Sequence, residues 1–153
     1  MRPTLCNPVD HADVVRRFEA LTPESRGRWG RMSVEQMLCH VSDYLRLPFG
    51  EVPSPDRSTV FMRGVGWLLM RLPLSFPKNL RTLRELDQER EFSTKPAAFE
   101  ADRDRLLAQL DRFAQTPETA DWAPNTLFGT IGKQGWGRVG WIHLDHHLRQ
   151  FGV

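Results

Sequence analysis

At 153 residues the chain has the length of one domain, residues 1–153, with a single core and no need of disulfide staples. Its 40% apolar and 26% charged residues exclude a disordered chain. A net charge of only +2, with arginines spread along the length, argues against a nucleic-acid binder, which would carry a dense basic stripe.

The two cysteines, Cys6 and Cys39, lack metal-ligand spacing and read as reduced intracellular thiols. "MRPTLCNPVD" has no apolar segment of a secretory signal. The most apolar run, Gly64 to Phe76, is broken by Arg71 and Pro73 and falls short of the ~20 residues of a membrane span. A cytoplasmic protein away from membranes is expected.

In chain order, Asn7 followed by Pro8 reads as the cap and first residue of a helix running to about Leu21. "TPESRGRWGRM" reads as a loop. Ser33 and Gln36 form a capping box opening a second helix, whose Val34, Met37, Leu38, Val41, Tyr44 and Leu45 make one apolar stripe ending at Pro48 and Gly50. "EVPSPDRS" is a loop, and Val60 to Leu72 a short apolar helix weakened by Gly64 and Gly66. "PLSFPKN" reads as irregular, and Leu80 to Leu86 fits either an extended or a helical segment. Pro96 to about Gln115 is a helix, "TPETADWAPNTLFGT" a long loop, and Lys133 to Gln150 the final helix. Runs of alternating β-branched residues are almost lacking, so the expectation is an all-α fold. Its four principal helices would form an antiparallel four-helix bundle with irregular long connections.

The last helix carries three of the five histidines, in "HLDHH". At about 100° per residue, with His143 set at zero, His147 falls near 40° and His146 near 300°, while Trp141, Leu144, Leu148 and Phe151 centre near about 120°. His143 and His147 thus stack one turn apart on the flank of the buried face, and His146 lies opposite the apolar centre. An i, i+4 pair of this kind can hold two positions of one metal ion. Leu144 stands where a zinc metalloprotease needs Glu, which disfavours that mechanism. A third ligand must come from another helix. His40, at the edge of the second helix's stripe, is the natural candidate and His11 its competitor. Asp43, Asp145 and Arg149 read as solvated.

With "MLCHVSDYL" on the second helix and "HLDHHLRQFG" closing the chain, the sequence resembles the DinB-like, or YfiT-like, superfamily of four-helix bundles regarded as metal-binding. "RWGRMSVEQMLCH", "LFGTIGKQGWG" and "HLDHHLRQFGV" narrow the resemblance to an uncharacterised bacterial branch. It implies one His on the second helix and an HxxxH on the last, together holding a divalent ion such as zinc or nickel. The tail "HLRQ" then places the last ligand on His147 and its partner on His143, leaving His146 without a ligand role. Several relatives are thiol-dependent transferases or isomerases using low-molecular-weight thiols, and others are hydrolase-like.

Three neutral imidazoles leave an ion's +2 charge intact and a coordination position open. Three readings follow: a thiol-dependent transferase acting on a small molecule, a metal-dependent hydrolase, and a non-catalytic metal-binding or stress-associated module. Residues expected around such a site are Trp136, Gly140 and Gln150, on the histidine line of the last helix, and Tyr44, one turn from His40. Trp136 reads as a pocket wall or a core aromatic. Gly140 and Gly137 read as sites of close helix approach or as room for a ligand, and Gln150 as a group orienting a ligand. Cys39 reads as a packing residue, and the Val60–Phe76 stretch as either a homodimer interface or part of its own core.

Overall fold

A computed structural model of the chain describes residues 2–72, 75–78, 86 and 93–153. Within them the secondary structure is helical, with α1 (Pro8–Glu19), α2 (Val34–Arg46), a 3-10 turn (Leu47–Phe49), α3 (Val60–Arg71), α4 (Phe99–Gln115) and α5 (Gly132–Phe151). No strand occurs among the described residues; one isolated bridge joins Asn125 and Gly129. The segment Leu80 to Leu86 lies, but for Leu86, outside the described residues, as do Pro73, Leu74 and Asn79 of "PLSFPKN". No described helix is long and apolar enough to cross a membrane.

Local chemistry sets the helix ends. The Asn7 side chain accepts from the backbone N–H of Val9 and Asp10, and Pro8 follows it. Helix α1 stops at Glu19, two residues short of expectation, and the Leu21 N–H turns back to the Phe18 carbonyl. Ser33 and Gln36 form the reciprocal box that opens α2. Pro48 and then Gly50, at φ 68°, end that stretch. Helix α4 begins at Phe99 rather than Pro96, because residues 96–98 are drawn out and the Asp102 carboxylate accepts from the Ala97 N–H at 2.9 Å.

Helix α2 packs on α4 and α5, α1 packs on α4 and α5, and α3 lies on α5. The main core gathers Phe18, Met37, Leu38, Leu45, Leu106, Leu110, Phe113, Trp136 and Leu144. A smaller one beneath α3 joins Leu69, Phe128, Val139 and Ile142. Gly66 lets α3 approach this second core: a Cβ there would sit 2.7 Å from the Phe128 ring.

The N-terminal segment crosses α5 over its glycines. Leu5 donates to the Gly137 carbonyl at 3.1 Å. A Cβ on Gly137 would collide with Cys6 Sγ, and one on Gly140 would lie 2.9 Å from Leu5 Cδ1. These two glycines admit a non-helical segment of the chain's own N-terminus, instead of another helix or a ligand.

Candidate metal centre

Helix α2 brings His40, and α5 brings His143 and His147, to one place. One ring nitrogen from each lies within 4.8 Å of the others. His40 and His143 meet with their Nε2 atoms 3.0 Å apart, and the His40 and His147 ring centroids stand 4.8 Å apart. His11 is elsewhere, on α1, with its Nε2 3.9 Å from the Asp111 carboxylate of α4.

The outer nitrogens show which way the inner ones face. His40 Nδ1 is 2.9 Å from the Leu86 carbonyl oxygen, which can only accept, so Nδ1 carries the proton and Nε2 presents its lone pair. On α5 the same logic runs through an amide. The Trp29 carbonyl accepts from Gln150 Nε2 at 2.8 Å, which turns Gln150 Oε1 toward His147 Nδ1 at 2.9 Å. His147 therefore donates from Nδ1 and also points a bare Nε2 inward. Backbone geometry supports this relay, since Gly30 has φ 77° and a Cβ there would sit 2.7 Å from Gln150 Nε2.

Burial keeps the His143 and His147 rings neutral. It holds His143 well below the usual imidazole value of 6.5, helped by the neighbouring His147 and His40 rings. Burial likewise pushes His147 down to about 3, with His40 adding to the shift. The donor set suits a divalent ion of the zinc type, which binds neutral imidazole at ~2.0–2.1 Å. His40 and His143 are already as close as neighbouring ligands of one ion. The widest nitrogen separation asks for a ring shift on the order of 1 Å before all three could share it.

The histidines line a cavity of about 460 Å3 whose other walls include Met62, Val65 and Leu69 of α3, Phe76, Phe128 and Val139. Tyr44 stacks on His143 with ring centroids 4.2 Å apart, and its buried hydroxyl has no hydrogen-bond partner among the described residues. Burial raises the pKa of that hydroxyl, so it stays protonated. Trp136 is set in the main core, with its indole N–H donating to the Ala123 carbonyl at 2.8 Å, and the cavity is walled without it. Gly140 faces Leu5 and the edge of the Tyr44 ring.

Several polar residues are not where the helical wheel put them. His146 is buried at 9% exposure and lines the cavity, because Trp29 and Phe76 cover that side of α5, with ring centroids at 5.9 and 6.4 Å. Burial lowers its pKa, partly offset by a hydrogen bond with the Phe76 backbone. Asp43 is not solvated: it accepts from the Thr94 N–H at 2.9 Å and the Thr94 hydroxyl at 2.6 Å, and pairs with Arg46. Asp145 is likewise buried, between Arg17 at 3.0 Å and Arg149 at 2.8 Å. Arg149 itself is exposed.

The contribution of Trp29 and Gly30 to the site went unassigned in the sequence, since a carbonyl contact leaves no periodicity. The wall formed by Phe128 was missed too. It depends on the Asn125 side chain, which accepts from the Leu127 and Phe128 N–H groups and turns the chain back through Gly129 at φ 71°.

The family described as "Protein of unknown function (DUF1569)" matches residues 10–152. No curated protein matches the chain, and no solved structure does.

Proposed function

The chain belongs to the DUF1569 family, and from the geometry of its three histidines we propose that it is a divalent-metal-dependent enzyme of the DinB-like type. Its reaction joins a low-molecular-weight thiol to an electrophilic small molecule. The observation that carries this is the pair of fixed tautomers: His40 and His147, each donating from Nδ1, turn acceptor Nε2 atoms toward His143, with the Nε2 of His40 3.0 Å from that of His143. The bundle reading is supported by a closed ring of contacts, α1 on α4, α4 on α2, α2 on α5 and α5 on α1, with α3 outside it on α5.

His40, His143 and His147 would hold the ion, with zinc or nickel suited to imidazole. Bound there, it would supply a positive charge that acidifies a thiol or water reaching its open position. The chain's own thiols do not serve as the nucleophile. Cys39 is buried in the core and pushed up to about 12, first by burial and then by Asp102, and burial also raises Cys6. In the transfer, the sulfur of the small thiol bonds to the electrophilic carbon and the leaving group departs with its electron pair. The thiol proton passes to solvent. Leu86, Gln150 and Trp29 keep the imidazoles in register, and the apolar walls exclude bulk water.

Metal analysis of untagged protein tests the reading. About one ion per chain is expected, lost in His40→Ala, His143→Ala and His147→Ala but kept in His146→Ala. Thiol conjugation of a chromogenic electrophile should then exceed hydrolysis of a chromogenic ester. Equal metal content in all four variants would sink the site, and ester hydrolysis without conjugation would make water the nucleophile.

A further inference from the structure

Helix α3 is apolar on two opposite sides. Its inner side packs Leu69 into the smaller core on α5, and Met62 and Val65 wall the histidine cavity. Its outer side is apolar as well: Val60 is 90% exposed, Phe61 77% and Trp67 51%, with Leu68 and the capping Leu72 also in the open. Apart from Val9, every large hydrophobic exposed among the described residues belongs to α3 or its C-cap. A lone exposed leucine is ordinary, whereas a helix with apolar side chains facing both inward and outward has the pattern of one with a second apolar neighbour.

At about 100° per residue, with Val60 at zero, Gly64 falls near 40°, Leu68 near 80°, Phe61 near 100° and Trp67 near 340°. These residues make one stripe along the helix, and a Cβ added to Gly64 in its middle meets nothing described within 4 Å. The charges around the stripe have one sign. Helix α3 contains no Asp or Glu, and its cations are Arg63, at the border of the stripe, and Arg71, whose guanidinium lies 4.2 Å over the Trp67 ring. Arg2 reaches the same end of the helix, donating to the Met70 carbonyl. The acid that precedes α3, Asp56, accepts from the Ser58 N–H at 2.8 Å.

We infer that the outer face of α3 docks on an anionic lipid bilayer, with the helix lying along the headgroup boundary. A second copy meeting this face symmetrically would set arginines against arginines, with no acid on α3 to answer them. Acidic headgroups over acyl chains match both of its features. Val60, Phe61 and Leu68 would enter the apolar boundary, Trp67 would sit at headgroup level, and the long stems of Arg63 and Arg71 would carry their charges out to the phosphates. Twelve residues of helix, about 18 Å long, cannot cross a bilayer, but attachment to its surface requires only an exposed face. The inference is independent of the metal reading.

The test sediments the full chain with vesicles of phosphatidylcholine alone or with about one-third phosphatidylglycerol, in about 0.1 M salt. The acidic vesicles should bind at least about tenfold more tightly, and about 0.5 M salt should remove most of that advantage. Leu68→Glu, and Phe61→Ser at the other end of the stripe, should each weaken binding by at least about tenfold with helicity unchanged. Arg63→Gln combined with Arg71→Gln should do the same to acidic vesicles alone. Brominated acyl chains should quench the intrinsic fluorescence of the bound chain, and Trp67→Phe should lose most of that quenching. Equal binding to neutral and acidic vesicles overturns the inference, as does quenching undiminished in Trp67→Phe, which would put another face on the lipid. No vesicle binding also overturns it; a dimer seen by ultracentrifugation and lost in Leu68→Glu would then give the face to a second copy.

Discussion

Gly30 and Gln150 are in contact: a side-chain carbon on Gly30 would lie 2.7 Å from the Gln150 amide nitrogen. Because that amide donates to Trp29 and accepts from His147, a loop residue 117 positions from the histidine governs how its imidazole is turned. Gly30→Ala meets both a left-handed backbone and this clash. It should cost about 1–3 kcal/mol by urea denaturation and weaken zinc binding about 10- to 100-fold, the range typical of lost outer partners. Gln150→Leu should reproduce the zinc effect with a smaller stability loss. Zinc affinity unchanged in both, by chelator competition, would remove the relay from the site.

Two glycines in helices should respond to alanine with opposite signs. Gly64, on α3, has nothing described within 4 Å of an added Cβ, so Gly64→Ala should gain up to about 1 kcal/mol of helix propensity. Gly137, on α5, lies under the N-terminal segment, and its Cβ would meet Cys6 Sγ and, at 2.9 Å, Thr4 Oγ1. Gly137→Ala should destabilise by about 1–3 kcal/mol despite the same propensity gain. Paired denaturant midpoints give the two signs directly.

Asp43 is a structural carboxylate three residues from a histidine of the cluster. It ties the Thr94 backbone and hydroxyl to α2, and Asp43→Ala leaves the Thr94 N–H and Arg46 without it. A loss of about 1–3 kcal/mol is expected, with zinc stoichiometry kept. Thermal melts and metal analysis on the same sample separate the two.

The metal-free protein should weaken in acid. His143 and His147 have folded-state pKa values below their unfolded value near 6.5, so the unfolded chain binds more protons between pH 6.5 and about 3. Stability is therefore complete above about pH 6.5 and falls as pH drops toward 3. Each ring contributes at most about 1.4 kcal/mol per pH unit. Urea midpoints measured in chelator at pH 7.5, 6 and 5 should decline in that order, and His147→Gln should flatten the decline. Midpoints that stay level would mean these rings charge as freely in the folded chain as in the unfolded one.

Capping and periodicity made α1 through α5 legible along the chain, most clearly at Ser33 and Gln36, where a four-residue pattern contains its own hydrogen bonds. The pairing of His143 with His147 was legible for the same reason, since i and i+4 share a face on any helix. His146 and Asp145 were misjudged because a single-helix wheel assumes one buried side, whereas α5 is covered by α1, α2, α3, the N-terminal segment and Phe76. That His40 and not His11 stands beside the α5 pair was settled by how α1 and α2 dock, which no local pattern encodes. The tautomers of His40 and His147 likewise came only from tertiary contacts, because the Leu86 and Trp29 carbonyls are backbone atoms that every residue possesses. Local sequence sets what can be written within one turn of helix; the direction of a lone pair depends on which distant carbonyl the folded chain brings to the other side of the ring.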